Sequence, residues 1–234
     1  MSLRVALLNH REEFAGVVRF TPGIDRLLHF DFTGANTELT EELVNDTHLF
    51  SKYIAGKLET ADANYGIGGY DEHRTFYNRS VLFGTHGNTT GTPVRRLHLG
   101  MDIWGKVHTP VMAPLDGIVH SFAFNDAYGD YGATIILKHI LDDAIFHTLY
   151  GHLGLNAIKD LKEGDFIKKG QPFASFGIDT ENGHWPPHLH FQLIADMKGW
   201  KGDYPGVCAF GEREMWLDNS PDPDLILQMN RFAV

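Results

Sequence analysis

The segment HWPPHLHFQLIA, residues 184–195, constrains the fold more than any other part of the chain. Residues two apart in an extended strand point to the same face. His188, His190 and Gln192 therefore share one face, and Leu189, Phe191 and Leu193 share the other. The apolar side must lie against a core. The imidazole side must then open on a cleft, where a sheet can present a metal site.

Two other segments supply matching chemistry: HLGMD at 98–102 and LYGHL at 149–153. The text around them is that of a β protein. From about residue 93, short apolar runs alternate with turns. PVMAPLDGIVHSFAF (110–124) contains a Pro-Leu-Asp-Gly turn. ATIILKH (133–139) and AIFHTLYGHL (144–153) pair as a hairpin around Leu141, Asp142 and Asp143. DFIKKGQPFASFG (165–177) reads as strand, turn, strand. This density of strands predicts a mainly β fold, an antiparallel sandwich or barrel-like domain.

Before it, residues 37–58 predict one helix, capped at Thr37 or Thr40, with Leu43, Phe50, Ile54 and Leu58 at helical spacing. Residues 61–92 read as long ordered loops and the tail from Gly199 as loop. The expected division is an N-terminal extension at 1–92, a catalytic β domain at 93–198 and a packed tail at 199–234.

Composition narrows the partners. A formal net charge of −10 argues against nucleic acid bound through a broad basic surface. Cys208 is the single cysteine, so no intrachain disulfide forms. It reads as a small buried hydrophobe. No apolar run is long enough to span a bilayer. The start lacks the long apolar region of a signal peptide. As written the sequence reads as cytoplasmic, or as envelope or secreted if it has been trimmed. Asn45, Asn78 and Asn88 lie in N-x-S/T triplets, read as chance matches.

A catalytic zinc site needs three His, Asp, Glu or Cys ligands and one open position. His98 and Asp102 are separated by three residues, which a turn or curved strand can converge on one ion. His190 is the candidate third ligand. Further imidazoles beside the open position can take a proton and stabilise an oxyanion. His152 and His188 are the candidates.

HLGMD, YGHL and PHLHF, in this order and spacing, resemble the zinc metallopeptidases of the lysostaphin and LytM type. TPVMAPLDGIV and LKEGDFIKKGQPFASFG resemble further segments of that family, and the resemblance covers roughly 93–195. It implies Zn2+ held by His98, Asp102 and His190, with His152 and His188 as the catalytic pair. It implies hydrolysis of peptide bonds, with peptidoglycan cross-link peptides as substrate. The departures are the bulky loop IDTENGHWPP, with His184 and Trp185, and Gln192 where the family often has glutamate.

Other readings compete. A non-catalytic or latent binding module would keep the fold, with the N-terminal extension plugging the groove. A phosphocarrier needs no carboxylate beside its histidines, and Asp102 counts against it. The remaining histidines are read as ordinary, His139 as surface or hairpin. His147 should face away from His152. His184 is a possible substrate contact. Arg74 could clamp a carboxylate, although a solvated charge is the plainer expectation, and Asp71-Glu72 reads as surface.

Overall fold

The computed structural model describes residues 2–84 and 93–234, so His86 and Asn88 lie outside the described residues. The chain opens with helix α1 (Leu3–Asn9) and strand β1 (Leu27–His29). Helices α2 (Glu41–Asn45) and α3 (Thr47–Thr60) follow, then β2 (Tyr65–Gly68) and β3 (Glu72–His73). The β-rich part contains β4 (Leu97–His98), β5 (Met101–Trp104), β6 (Pro110–Met112), β7 (Gly117–Asn125), β8 (Gly132–Leu141) and β9 (Ala144–Leu153). It continues through β10 (Phe166–Ile167), β11 (Pro172–Ser175), β12 (His188–Ile194) and β13 (Val207–Cys208). Helices α4 (Arg213–Asn219) and α5 (Asp224–Leu227) lie near the C-terminus.

Eight strands form one sheet in the order β1-β2-β5-β12-β9-β8-β7-β10. The β1–β2 pair is parallel and the others are antiparallel. The sheet is open: among the described residues its two edge strands do not pair with each other. The expected mainly β architecture is present, as an open sheet and not a closed barrel. Two smaller sheets flank it, β6 with β11 and β13-β4-β3.

The alternation in β12 divides its side chains as the sequence requires. Leu189, Phe191 and Leu193 enter a core with Met101, Ile103, Ile135, Leu137, Phe146 and Tyr150. A second, aromatic core gathers Phe30, Phe32, Phe50, Phe76, Tyr77, Trp104 and Trp185. Met101 and Ile103 on β5 thus face one core while Trp104 faces the other. Aromatic side chains supply large buried area in favourable tilted contacts, such as Phe32 against Trp104 at 5.2 Å. That second core fastens the N-terminal region to the strand that carries Asp102.

Several local expectations are corrected. The helix over 37–58 is two helices. Thr40 caps α2 by accepting from the Leu43 amide, and Asp46 caps α3 by accepting from His48 and Leu49. Asp46 satisfies N–H groups that would otherwise have no partner at a helix start, so the chain restarts there. The region 61–92, expected as loops, contains β2 and β3, and the tail contains β13, α4 and α5. β2 joins the main sheet beside β5, although its sequence YGIG has no polar–apolar alternation to betray a strand. His139 is buried; its ring contacts the Asp116 carbonyl and the Thr148 hydroxyl. Cys208 is buried as expected.

Candidate metal centre

Register brings the site together. β12 pairs antiparallel with β5 so that His190 lies opposite Asp102, and His188 opposite Trp104. Directly opposed residues have neighbouring side chains on one face of the sheet. His98 arrives from β4, one short turn before β5. Gly100 in that turn cannot be replaced without cost, because a Cβ there would lie 2.4 Å from Cε1 of His190. His152, next to last in β9, has φ +62°, and its amide donates to the Tyr131 carbonyl at 2.7 Å.

All five sequence-predicted site residues converge. His98, Asp102 and His190 each offer one donor atom, within 4.8 Å of one another. Asp102 Oδ1 is 3.4 Å from His98 Nε2, 3.3 Å from His190 Nδ1 and 3.9 Å from His188 Nε2. The rings of His152 and His188 lie 4.1 Å apart, and His188 stacks on Trp104 at 3.9 Å. Each of the five is less than one-tenth exposed.

Hydrogen bonds fix where the lone pairs point. His98 Nδ1 donates to the Gly69 carbonyl at 2.8 Å, so Nε2 carries the lone pair. His190 Nε2 lies 2.9 Å from Gln192 Oε1. The Gln192 amide cannot be reversed, because its Nε2 donates to the Pro205 carbonyl at 3.2 Å. His190 is therefore protonated at Nε2 and has its lone pair on Nδ1. These two lone pairs face each other at 2.8 Å. Beside them, Asp102 Oδ1 is buried with no hydrogen-bond partner. Three acceptors converging without a donor are what a cation site requires, and hydrogen bonds behind ligand imidazoles are the usual way such a site is oriented. The residues present fit a metal of the N/O-binding type.

Electrostatics agree with that geometry. Burial, then the neighbouring Arg74 guanidinium, holds His98 well below the usual imidazole range. Burial pushes His188 down to about 4 and holds His152 well below its usual value. These imidazoles are neutral at neutral pH, as ligands and proton acceptors must be. Burial opposes ionisation of Asp102, yet the charged Arg74 guanidinium bonded to it holds it well below the usual carboxylate range.

The site opens into a cleft of about 230 Å³. Tyr77, Tyr131, Trp185, Trp200 and Tyr204 are among its walls. Asp130 and Asp203 also line it, and burial raises both above the usual carboxylate range. His184 does not line it; its ring stacks on Tyr128, and its carbonyl accepts from Arg79 and Thr47. His147 faces away from the site, toward His120 at 4.9 Å. Arg74, expected as a solvated charge, is only 1% exposed and bonds Asp102 and Glu72. The missed signal was the E-x-R spacing of Glu72 and Arg74, which puts both side chains on one face of an extended segment.

The open sheet thus presents His, Asp and His side chains that could hold a metal ion, with two more imidazoles in the same cleft. Residues 96–201, under half of the chain, match the model of Peptidase family M23. Over 101 residues the chain is 34% identical to an uncharacterized metalloprotease of Haemophilus influenzae, covering 42% of this chain and 18% of that protein. Over 138 residues it is 30% identical to the L-Ala–D-Glu endopeptidase of Bacillus subtilis, covering 56% and 40% respectively. Over 102 residues it is 28% identical to the peptidoglycan DD-endopeptidase ShyC of Vibrio cholerae, covering 43% and 21%. The chain thus spans less than half the length of each of these relatives.

Proposed function

We propose that the chain is a zinc-dependent endopeptidase that cleaves peptide bonds of peptidoglycan cross-links. The observation that carries this reading is the convergence of the lone pairs of His98 Nε2 and His190 Nδ1 on the unpartnered Asp102 Oδ1. His98, Asp102 and His190 would hold the ion. A bound zinc supplies Lewis acidity, polarising a carbonyl and acidifying water. Among the relatives, the Vibrio cholerae protein is a peptidoglycan endopeptidase by name and the Bacillus subtilis protein an L-Ala–D-Glu endopeptidase, which supports a peptide substrate of this class.

The chain's own residues move the proton and orient the water. His188 Nδ1 donates to the Pro186 carbonyl at 2.7 Å, and His152 Nδ1 to the Asn182 carbonyl at 2.7 Å. Each ring therefore has its Nε2 lone pair free. One accepts the proton of the attacking water and can return it to the leaving amine. The other, neutral and with its Nε2 lone pair free, can accept from the same water and orient it for attack. Trp104, stacked on His188, keeps that ring from turning. Residues 93–198 supply these groups, and the flanking segments supply walls and props.

The test is hydrolysis of purified peptidoglycan by His188→Ala and His152→Ala, with metal content measured in parallel. Activity should fall at least about 100-fold, the usual scale of a proton-transfer group. Metal should stay bound, because neither residue is a ligand in this scheme. Unchanged turnover would remove the assigned roles. An inert wild type with metal bound would favour the non-catalytic module.

A further inference from the structure

Asp102 is held on the side away from the proposed ion. Arg74 Nη1 donates to Asp102 Oδ2 at 2.6 Å, and Arg74 Nε donates to Glu72 Oε2 at 2.6 Å. Glu72 is anchored in turn, its Oε1 accepting from the Phe32 amide at 3.0 Å. The guanidinium lies over the rings of Phe32 and Phe76, at 5.2 and 5.4 Å. Gly69 makes the space, since a Cβ there would lie 1.7 Å from Arg74 Nη2. β3 pairs with β4 so that Glu72 lies opposite His98. The same short strand therefore braces two candidate ligands.

We propose that Glu72 and Arg74 form a neutral strut that positions Asp102 to bind the metal through Oδ1 alone. The proposal rests on reading His98, Asp102 and His190 as the metal site. A free carboxylate can offer either oxygen, or both. The Arg74 bond occupies Oδ2 and leaves Oδ1 as the donor. A lone guanidinium beside a divalent cation would repel it, and Glu72 cancels that charge. Glu72, Arg74 and Asp102 together carry one net negative charge, the same as a single carboxylate. Glu72 and Arg74 are positioning residues, and both lie outside the segment matched to the peptidase family.

The experiment uses the full chain and Zn2+ in competition with a chromogenic chelator. It compares wild type, Arg74→Lys and Glu72→Gln. Thermal midpoints are taken in excess chelator, and visible spectra with Co2+ in place of zinc. Lysine keeps the charge but loses the fork that bridges two carboxylates. Both variants should bind Zn2+ about 10- to 100-fold more weakly, as changes behind a ligand usually do. In Arg74→Lys, Asp102 is freed to offer both oxygens, so the Co2+ absorption should weaken as the coordination number rises. A purely structural role would lower the thermal midpoint but leave zinc affinity and the Co2+ spectrum unchanged well below it. Equal affinity in all three proteins would overturn the strut and leave the metal site standing. No Zn2+ binding by wild type would overturn the site and the strut together. Where Arg74→Lys does not fold, the affinity of Glu72→Gln decides.

Discussion

Asp102→Ala in the metal-free protein tests the buried charge balance directly. Removing a carboxylate from a crowd of acceptors normally relieves a metal-free site. Here the sign should be reversed, because Arg74 is 1% exposed and would lose one of its two charged hydrogen-bond partners. Removing one member of a buried ion pair costs roughly 3–5 kcal/mol. Arg74 keeps Glu72, so the low end of that range applies, about 3 kcal/mol. For a protein of this size each 1 kcal/mol moves the thermal midpoint by about 2–4 °C, so the drop should be about 6–12 °C. The assay is thermal unfolding in excess chelator, in a cycle with Arg74→Met. With Arg74 already replaced by methionine, the Asp102→Ala cost should largely disappear. A metal-free Asp102→Ala protein at least as stable as wild type would refute the reasoning. So would an equal cost in both backgrounds.

Two further outcomes follow from burial. Burial holds His139 and His188 at about 4, whereas an unfolded imidazole titrates near 6.5. The unfolded chain therefore binds protons first as pH falls, so stability is intact above about pH 6.5 and is lost on the way to about 4. Each group contributes up to about 3 kcal/mol to that loss, and urea midpoints unchanged between pH 7 and 5 would contradict it. Cys208 is 1% exposed, and burial pushes its thiol up to about 12. It should resist a thiol reagent at pH 8 in the native protein and react fully in denaturant; native labelling would contradict that.

The site was far more legible than its supports. HLGMD, LYGHL and PHLHF carry chemistry in fixed spacing, and strand alternation alone sorts His188 and His190 from Leu189 and Phe191. Their convergence follows from pairing β12 with β5, which the apolar faces dictate. The N-terminal region was harder. YGIG pairs through its backbone, so its side chains hold no strand signal. Asp46 interrupts an otherwise continuous helical pattern by capping the second half. Arg74 and Glu72 look like ordinary surface charges until the aromatic side chains packed around them are seen. The E-x-R spacing pairs these two side chains on one face, and the fold then takes the pair out of water.

The order of strands has a consequence for how the protein comes into being. β12 is the last strand of the large sheet in sequence, yet it sits in the middle, between β5 and β9. Without β12 the strand order falls into two halves, β1-β2-β5 and β9-β8-β7-β10, with nothing between them. His188 and His190 ride on that closing strand. Joining the halves and completing the ligand set are then one event, and it depends on pairings distant in sequence, which form slowly. A ribosome makes the chain from its N-terminus, so the half with Asp102 and its strut is synthesised first and waits for the closing strand. A ligand set assembled this way is complete only when the sheet itself is complete.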